Sequence, residues 1–298
     1  MIAPPLTFSE NIPEGYPIID DEPEFQPGRH LQLERPAHTL DLESFGYQRS
    51  ELNDVPSGLA LAGPFRLLSD EGVQAVRQVA TQFRHKSLRL EGNSKAAYLK
   101  PRGVWYSSKF VRDLCSAAEL REFVSELAGT PVAVHGMPTV AAALIYAPPE
   151  VEKTNQGWHL DTVNFSSVIA LTEPAKLEGG RFQYFLGTRS EVAARLKIQD
   201  HELQTSVGRL TELPPERVVT VEYPAAGHAL FMQGNLVLHR GEPLRAPAER
   251  IVFVPAFVPL DMRYPDITHW SEIQRWNSPA LVEEYKRHRA WRERYQVD

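Results

Sequence analysis

Residues 156–185 read QGWHLDTVNFSSVIALTEPAKLEGGRFQYF. Two stretches inside it, Val163–Leu171 and Arg181–Phe185, are short runs rich in β-branched and aromatic residues, and Pro174 with the pair Gly179-Gly180 interrupts the chain between them. Runs of that length bounded by turn residues read as strands. The same texture recurs outward at Pro131–Val134, Thr139–Tyr146, Val218–Tyr223, His228–Met232, Asn235–His239 and Arg250–Val258. Repeated short strands with Gly/Pro turns predict a sandwich or a barrel, not alternating β-α units. The fold class is α+β with a mainly β core.

Helical signals flank these strands. Ser69 can cap a helix to about Phe83, with Val73, Val76, Val79 or Ala80, and Phe83 on one face. Ser116 and Glu119 have capping-box spacing, Leu120, Phe123, Val124 and Leu127 form an apolar stripe, and Gly129 closes it. A short helix is expected at Arg189–Leu196. Pro279 opens a C-terminal helix with Leu281, Tyr285, Trp291 and Tyr295 roughly on one side, and its acids precede its Lys and Arg, as the helix dipole favours.

The N-terminal segment is different. Prolines at 4, 5, 13, 17, 23, 27, 36 and 56 and an acidic cluster (Asp20, Asp21, Glu22, Glu24) leave few periodic apolar positions. The chain therefore divides into a proline-rich arm over 1–60, packed on or over the core, and a single domain over 61–298. That domain carries helices at about 69–128, the strand core at about 131–258 and the C-terminal helix at about 279–295. A lid over a site is the sharper reading of the arm, and disorder a third.

Composition bounds the function. The 298 residues carry 32 Lys plus Arg against 38 Asp plus Glu, a net charge of −6, so the basic footprint that nucleic acid requires is missing. No apolar run approaches a membrane span, and the N-terminus has no basic n-region or apolar h-region, which predicts a cytoplasmic protein. Cys115 is the single cysteine, so neither an internal disulfide nor a thiolate zinc cluster is available. The ten histidines are the place to look for a metal. Residues 226–241 contain scattered glycines but lack the order of a phosphate-binding loop.

His159 and Asp161 are two residues apart. On an extended strand such a pair points to one side, so an imidazole and a carboxylate can converge on one ion. His239, at the end of the apolar run Asn235-Leu236-Val237-Leu238, is the candidate third ligand. Two histidines and a carboxylate on one face leave coordination positions open, as in non-heme Fe(II) oxygenases, although Zn and Mn accept the same donors. Arg250 lies 11 residues on, beyond a turn with Pro243 and Pro247, where a hairpin could bring its guanidinium beside the metal. Its fork suits bidentate binding of a carboxylate on an anionic co-substrate. A surface ion pair with Glu249 or Glu242 is the plainer alternative, and Arg245 in the same turn should be exposed.

His159-x-Asp161, the Leu177–Phe182 segment and His239-Arg240-Gly241-Glu242-Pro243-Leu244 followed by Arg250 together resemble the Fe(II)/2-oxoglutarate-dependent dioxygenase superfamily. The last motif is most similar to the prolyl-4-hydroxylase-like branch. The resemblance spans about residues 139–258 and implies a double-stranded β-helix, the jelly-roll of cupin-like proteins, flanked by helices. It implies that His159, Asp161 and His239 bind Fe(II), that Arg250 binds the C5 carboxylate of 2-oxoglutarate, and that O2 is the second co-substrate. Tyr146 falls near where that branch often has a tyrosine bonding the co-substrate. Val252 replaces the serine common in plant-type members, which leaves the second 2-oxoglutarate contact open. Halogenating relatives replace the carboxylate by a small residue; Asp161 disfavours halogenation.

The activity implied is hydroxylation of an unactivated C–H of a small metabolite, an amino acid or a natural-product intermediate, with release of succinate and CO2. Desaturation or ring formation would use the same machinery. Trp105, Tyr106, Trp158 and Arg181 are candidates to line the pocket. Two rival readings are a cupin-like metal enzyme that does not use 2-oxoglutarate and a catalytically silent jelly-roll binding module. The partner expected is a small molecule, with no nucleic acid or membrane.

Overall fold

The computed structural model describes residues 12, 16–87, 103–148, 150–154, 157–199, 202–203 and 213–293. Pro4, Pro5, Pro13 and Tyr295 lie outside the described residues, as does the side chain of Trp291. Among the described residues ten strands form two facing sheets: β1 (Thr39–Asp41), β2 (Leu59–Arg66), β3 (Val132–Val134), β4 (Ala142–Tyr146), β5 (Phe165–Ala170), β6 (Phe182–Phe185), β7 (Val218–Val221), β8 (His228–Met232), β9 (His239–Gly241) and β10 (Ile251–Pro259). The larger sheet runs β1-β2-β8-β5-β10-β3, with β4 also paired to β10, and the smaller runs β7-β6-β9. All strand pairs are antiparallel. This is the double-stranded β-helix.

The helices are α1 (Pro27–His30), α2 (Asp70–Ser87), α3 (Val104–Ser107), α4 (Lys109–Ser116), α5 (Ala118–Ala128), α6 (Pro138–Ala141), α7 (Arg189–Leu196), α8 (Trp270–Trp276) and α9 (Pro279–Glu293). Ser69 caps α2, its Oγ accepting from the Gly72 amide at 3.0 Å. Gly129 closes α5 in the left-handed conformation, φ 65°. Among the described residues no helix is long and apolar enough to cross a membrane.

Strand alternation explains why both faces of the larger sheet are apolar. On β8, Ala229 and Phe231 pack with the helices, beside Val76, Phe83 and Leu120, while Leu230 and Met232 face the smaller sheet with Phe182 and Tyr184. A strand covered on both sides reads as a continuous apolar run. Each fully buried Leu or Phe side chain contributes roughly 1.5–3 kcal/mol.

Five local expectations change. Residues 139–141 form the helical turn α6, so the strand begins at Ala142. Gly234 to Leu236 form a turn, with a bend at Val237, in which the Leu236 and Val237 amides both reach the Gln233 carbonyl, and β9 begins at His239 instead of ending there. Ser116 ends α4, and α5 starts without a side-chain cap. The arm contributes β1 to the larger sheet, and Leu42, Phe45 and Tyr47 are buried between the sheets. The connection from His239 to Arg250 is not a hairpin, because it carries the chain from the smaller sheet to the larger.

Candidate metal centre

His159 and His239 face each other as an isolated antiparallel bridge. The His159 amide donates to the His239 carbonyl at 2.9 Å, and the His239 amide returns the bond at 3.0 Å. Directly opposed residues project to the same side, and the two rings lie 4.3 Å apart between centroids. Asp161, two residues along, takes the same face, and its amide donates to the Gly234 carbonyl at 2.8 Å. One ligand atom from each of His159, Asp161 and His239 lies within 4.8 Å of the others. The sequence-predicted triad is therefore brought together.

The protonation chemistry fits a cation. His159 Nδ1 lies 3.1 Å from the Gly157 carbonyl, and His239 Nδ1 lies 2.8 Å from the Val237 carbonyl. A carbonyl only accepts, so each Nδ1 carries the proton and each Nε2 keeps its lone pair for a metal. His239 Nε2 is 3.6 Å from Asp161 Oδ1. The other oxygen, Oδ2, accepts from Ser166 Oγ at 2.7 Å, which orients the carboxylate. Phe182 stacks on the His239 ring, 5.4 Å between centroids.

Trp158 and Leu160 alternate to the opposite face and pack with Phe185, Val192 and Leu238. Trp158 is thus packing, and Arg240 lies over its ring at 4.5 Å.

The triad opens into a 220 Å³ cavity between the sheets, walled by Val140, Ala143, Ile145, Val252, Val254 and Ala256. Arg250 lies at its end, 8% exposed. Its Nε donates to the Gly180 carbonyl at 2.8 Å. The surface ion-pair alternative does not hold: Glu249 binds Arg77, and Glu242 binds Arg181 and Arg245. Gly180 adopts φ +70°, and a Cβ there would stand 3.0 Å from Arg250 Cδ. That close approach is why glycine precedes Arg181.

Tyr146 is a correction. Ala143 and Ile145 face the cavity, so Tyr146 points away from it; its buried hydroxyl donates to the Ala80 carbonyl of α2 at 2.7 Å. Trp105 and Tyr106 do not line the triad cavity either; Trp105 belongs to the helix-side core and Tyr106 packs against Tyr16. Arg181 sits outside it, bonded to Glu222 and Glu242. Sequence reasoning missed Ser166, Gly234 and Tyr223. Tyr223 is half-buried near Arg250 and donates to the Val168 carbonyl at 3.0 Å. Burial pushes its phenol pKa up, against the lowering effect of the Arg250 charge. Of the three, only Gly234 had a sequence signal, a glycine beside an apolar run where a close approach is expected.

The model of the halogenase D family matches residues 68–277. The chain belongs to the halogenase D family. With its His-Asp-His group it is a member of the Fe(II)/2-oxoglutarate-dependent oxygenase superfamily. The narrower likeness to the prolyl-4-hydroxylase-like branch is not what this match reports. No curated protein matches the chain.

Solved structures similar to it include SnoK, a non-heme α-ketoglutarate-dependent carbocyclase from nogalamycin biosynthesis, at 18% identity over 73% of this chain and 83% of that one, TM-score 0.45. AviO1 from Streptomyces viridochromogenes Tue57 matches at 15% identity over 76% and 96%, TM-score 0.46. HygX from Streptomyces hygroscopicus, with nickel and 2-oxoglutarate bound, matches at 11% identity over 72% and 87%, TM-score 0.44.

Proposed function

We propose that this member of the halogenase D family hydroxylates an unactivated C–H of a small metabolite, an amino acid or a natural-product intermediate, and does not halogenate it. The observation that carries this reading is the Asp161 carboxylate, which stands in the ligand triangle with both histidines, hydrogen-bonded by Ser166 and backed against Gly234. A carboxylate in that position fills the place a halide would need.

His159 and His239 would hold Fe(II) through Nε2 and Asp161 through a carboxylate oxygen, all three lining the same cavity. Iron, O2 and 2-oxoglutarate supply the oxidising power, with the 2-oxo acid ending as succinate and CO2. Arg250 anchors the distal carboxylate of the co-substrate, and its burial strengthens that charge pair. Val252, Val254 and Ile145 exclude water from the same space.

Anaerobic addition of Fe(II) and 2-oxoglutarate should produce the weak visible charge-transfer band of the chelate. Arg250→Ala should weaken 2-oxoglutarate binding by about 2–5 kcal/mol, roughly 30- to 4000-fold. Asp161→Ala should abolish substrate-dependent succinate formation. Absence of the band with metal-loaded protein would overturn the reading, and an unaltered Arg250→Ala variant would favour a metal enzyme that does not use 2-oxoglutarate. Oxygen consumption over a panel of amino acids and small metabolites, with product mass identified, then separates oxygen insertion from halide insertion.

A further inference from the structure

The triad cavity has a neighbour across Arg250. A second cavity, of 310 Å³, lies beyond it and shares Val168, Arg250 and Val252 with the triad cavity. Strand β5 runs past both. Ser166 bonds the metal-facing carboxylate, Val168 lines both chambers, and Ala170, paired with Val252, lines only the second. Tyr223 and Thr172 also line the second chamber, the Tyr223 hydroxyl donating to the Val168 carbonyl and Thr172 Oγ1 accepting from the Ile251 amide at 3.0 Å. Its other arginines are committed: Arg181 to Glu222 and Glu242, Arg245 to Glu242. Arg250 is the cation common to both chambers, and its bond to the Gly180 carbonyl fixes the direction of the guanidinium between them.

A pocket closed behind a carboxylate rejects one extra methylene by about 10- to 200-fold, because the added atoms have nowhere to go. Here a second cavity adjoins the first across Val168, Arg250 and Val252, and its far side is lined by Ala170, Leu177 and Ile251, with Glu178 and Glu222 among the remaining lining residues. We propose that the co-substrate site is open at its far end and accepts 2-oxo diacids longer than 2-oxoglutarate, represented by six-carbon 2-oxoadipate. The distal carboxylate of the longer acid meets Arg250 from the second chamber, beside Tyr223. This inference rests on the Fe(II)/2-oxoglutarate reading of the site.

Anaerobic calorimetric titration of the Fe(II)-loaded protein with 2-oxoglutarate, and separately with 2-oxoadipate, gives the two dissociation constants directly. The expected result is a 2-oxoadipate constant within about tenfold of the 2-oxoglutarate constant, below the penalty of a closed pocket. Ala170→Leu should raise the ratio of the two constants at least tenfold. Ala170→Val should move it in the same direction, and thermal unfolding shows that either variant is folded. Binding of 2-oxoglutarate with a ratio above tenfold overturns this proposal alone, as does a folded Ala170→Leu or Ala170→Val variant with an unchanged ratio. Failure of both acids to bind overturns the functional reading and this proposal with it.

Discussion

A single methyl group at position 234 should disturb the metal centre. A Cβ there would lie 2.1 Å from Asp161 Oδ2 and 2.6 Å from its Cγ, far inside contact distance. Gly234 is not among the positive-φ glycines, so alanine fits its backbone and the whole effect comes from the collision. Asp161 has little freedom to retreat: Ser166 holds Oδ2, His239 Nε2 is 3.6 Å from Oδ1, and the Asp161 amide is bonded to the Gly234 carbonyl itself. Relief must come from moving the ligand or the turn. Overpacking of this kind costs roughly 1–3 kcal/mol, and displacement of an oriented ligand typically weakens metal binding by about 10- to 100-fold.

The clean experiment is a double-mutant cycle of Gly234→Ala and Asp161→Gly, measured without metal by urea unfolding. Removing the Asp161 side chain removes the atoms that collide, so the alanine should cost little in that background. The coupling energy should reach about 1–3 kcal/mol. Metal titration of Gly234→Ala alone reads the second consequence. The reasoning is refuted by a coupling below about 0.3 kcal/mol together with unchanged metal affinity.

Two further outcomes are expected. Asp266 is buried against His135, Thr268 and Tyr285, whose hydroxyl donates to its Oδ2 at 2.5 Å. Burial alone would raise the carboxyl pKa, but the His135 charge and the hydrogen bonds from His135, Thr268 and Tyr285 outweigh it and hold it below the ordinary range. A depressed folded value means stability that is present above the unfolded pKa near ~3.9 and is lost as pH falls below it. Between pH 4 and pH 3 the native chain should therefore lose about 1 kcal/mol more than Asp266→Asn in urea unfolding, and equal losses would exclude Asp266 as the source. Tyr146→Phe should reduce stability by about 0.5–1.5 kcal/mol through its lost bond to Ala80. Its 2-oxoglutarate affinity should stay as in the native chain, and a large loss would return Tyr146 to the co-substrate site.

The triad was legible because its geometry is carried by short-range rules. A His and an Asp two apart on extended chain share a face whatever surrounds them, and Arg250 stands at the head of a strongly apolar run. Tyr146 was not legible for the opposite reason. Its strand is covered on both sides, so Ala143 and Ile145 offer no polarity contrast with Leu144 and Tyr146, and a one-residue difference in facing decides the role. The run Leu236-Val237-Leu238 has strand composition, but the Leu236 and Val237 amides both bond the Gln233 carbonyl, so the chain turns there before β9 begins. The fit of Gly234 against Asp161 joins two segments 73 positions apart in the sequence, so a glycine beside an apolar run signals a close approach without naming what approaches.

Arg250 leads into β10, which is bonded to β5 along one edge and to β4 and then β3 along the other. His159 is held more lightly, by the two amides of an isolated bridge to His239 at the start of the short β9. Local opening should be costly at the first place and cheap at the second. On the proposed reading the co-substrate tail would be anchored on stiff scaffolding, and the His159 side of the metal site would be the more compliant. An ion seated between His159, Asp161 and His239 would clasp the ends of segments that the backbone alone joins loosely, and tightness at that end of the barrel becomes a property of metal loading.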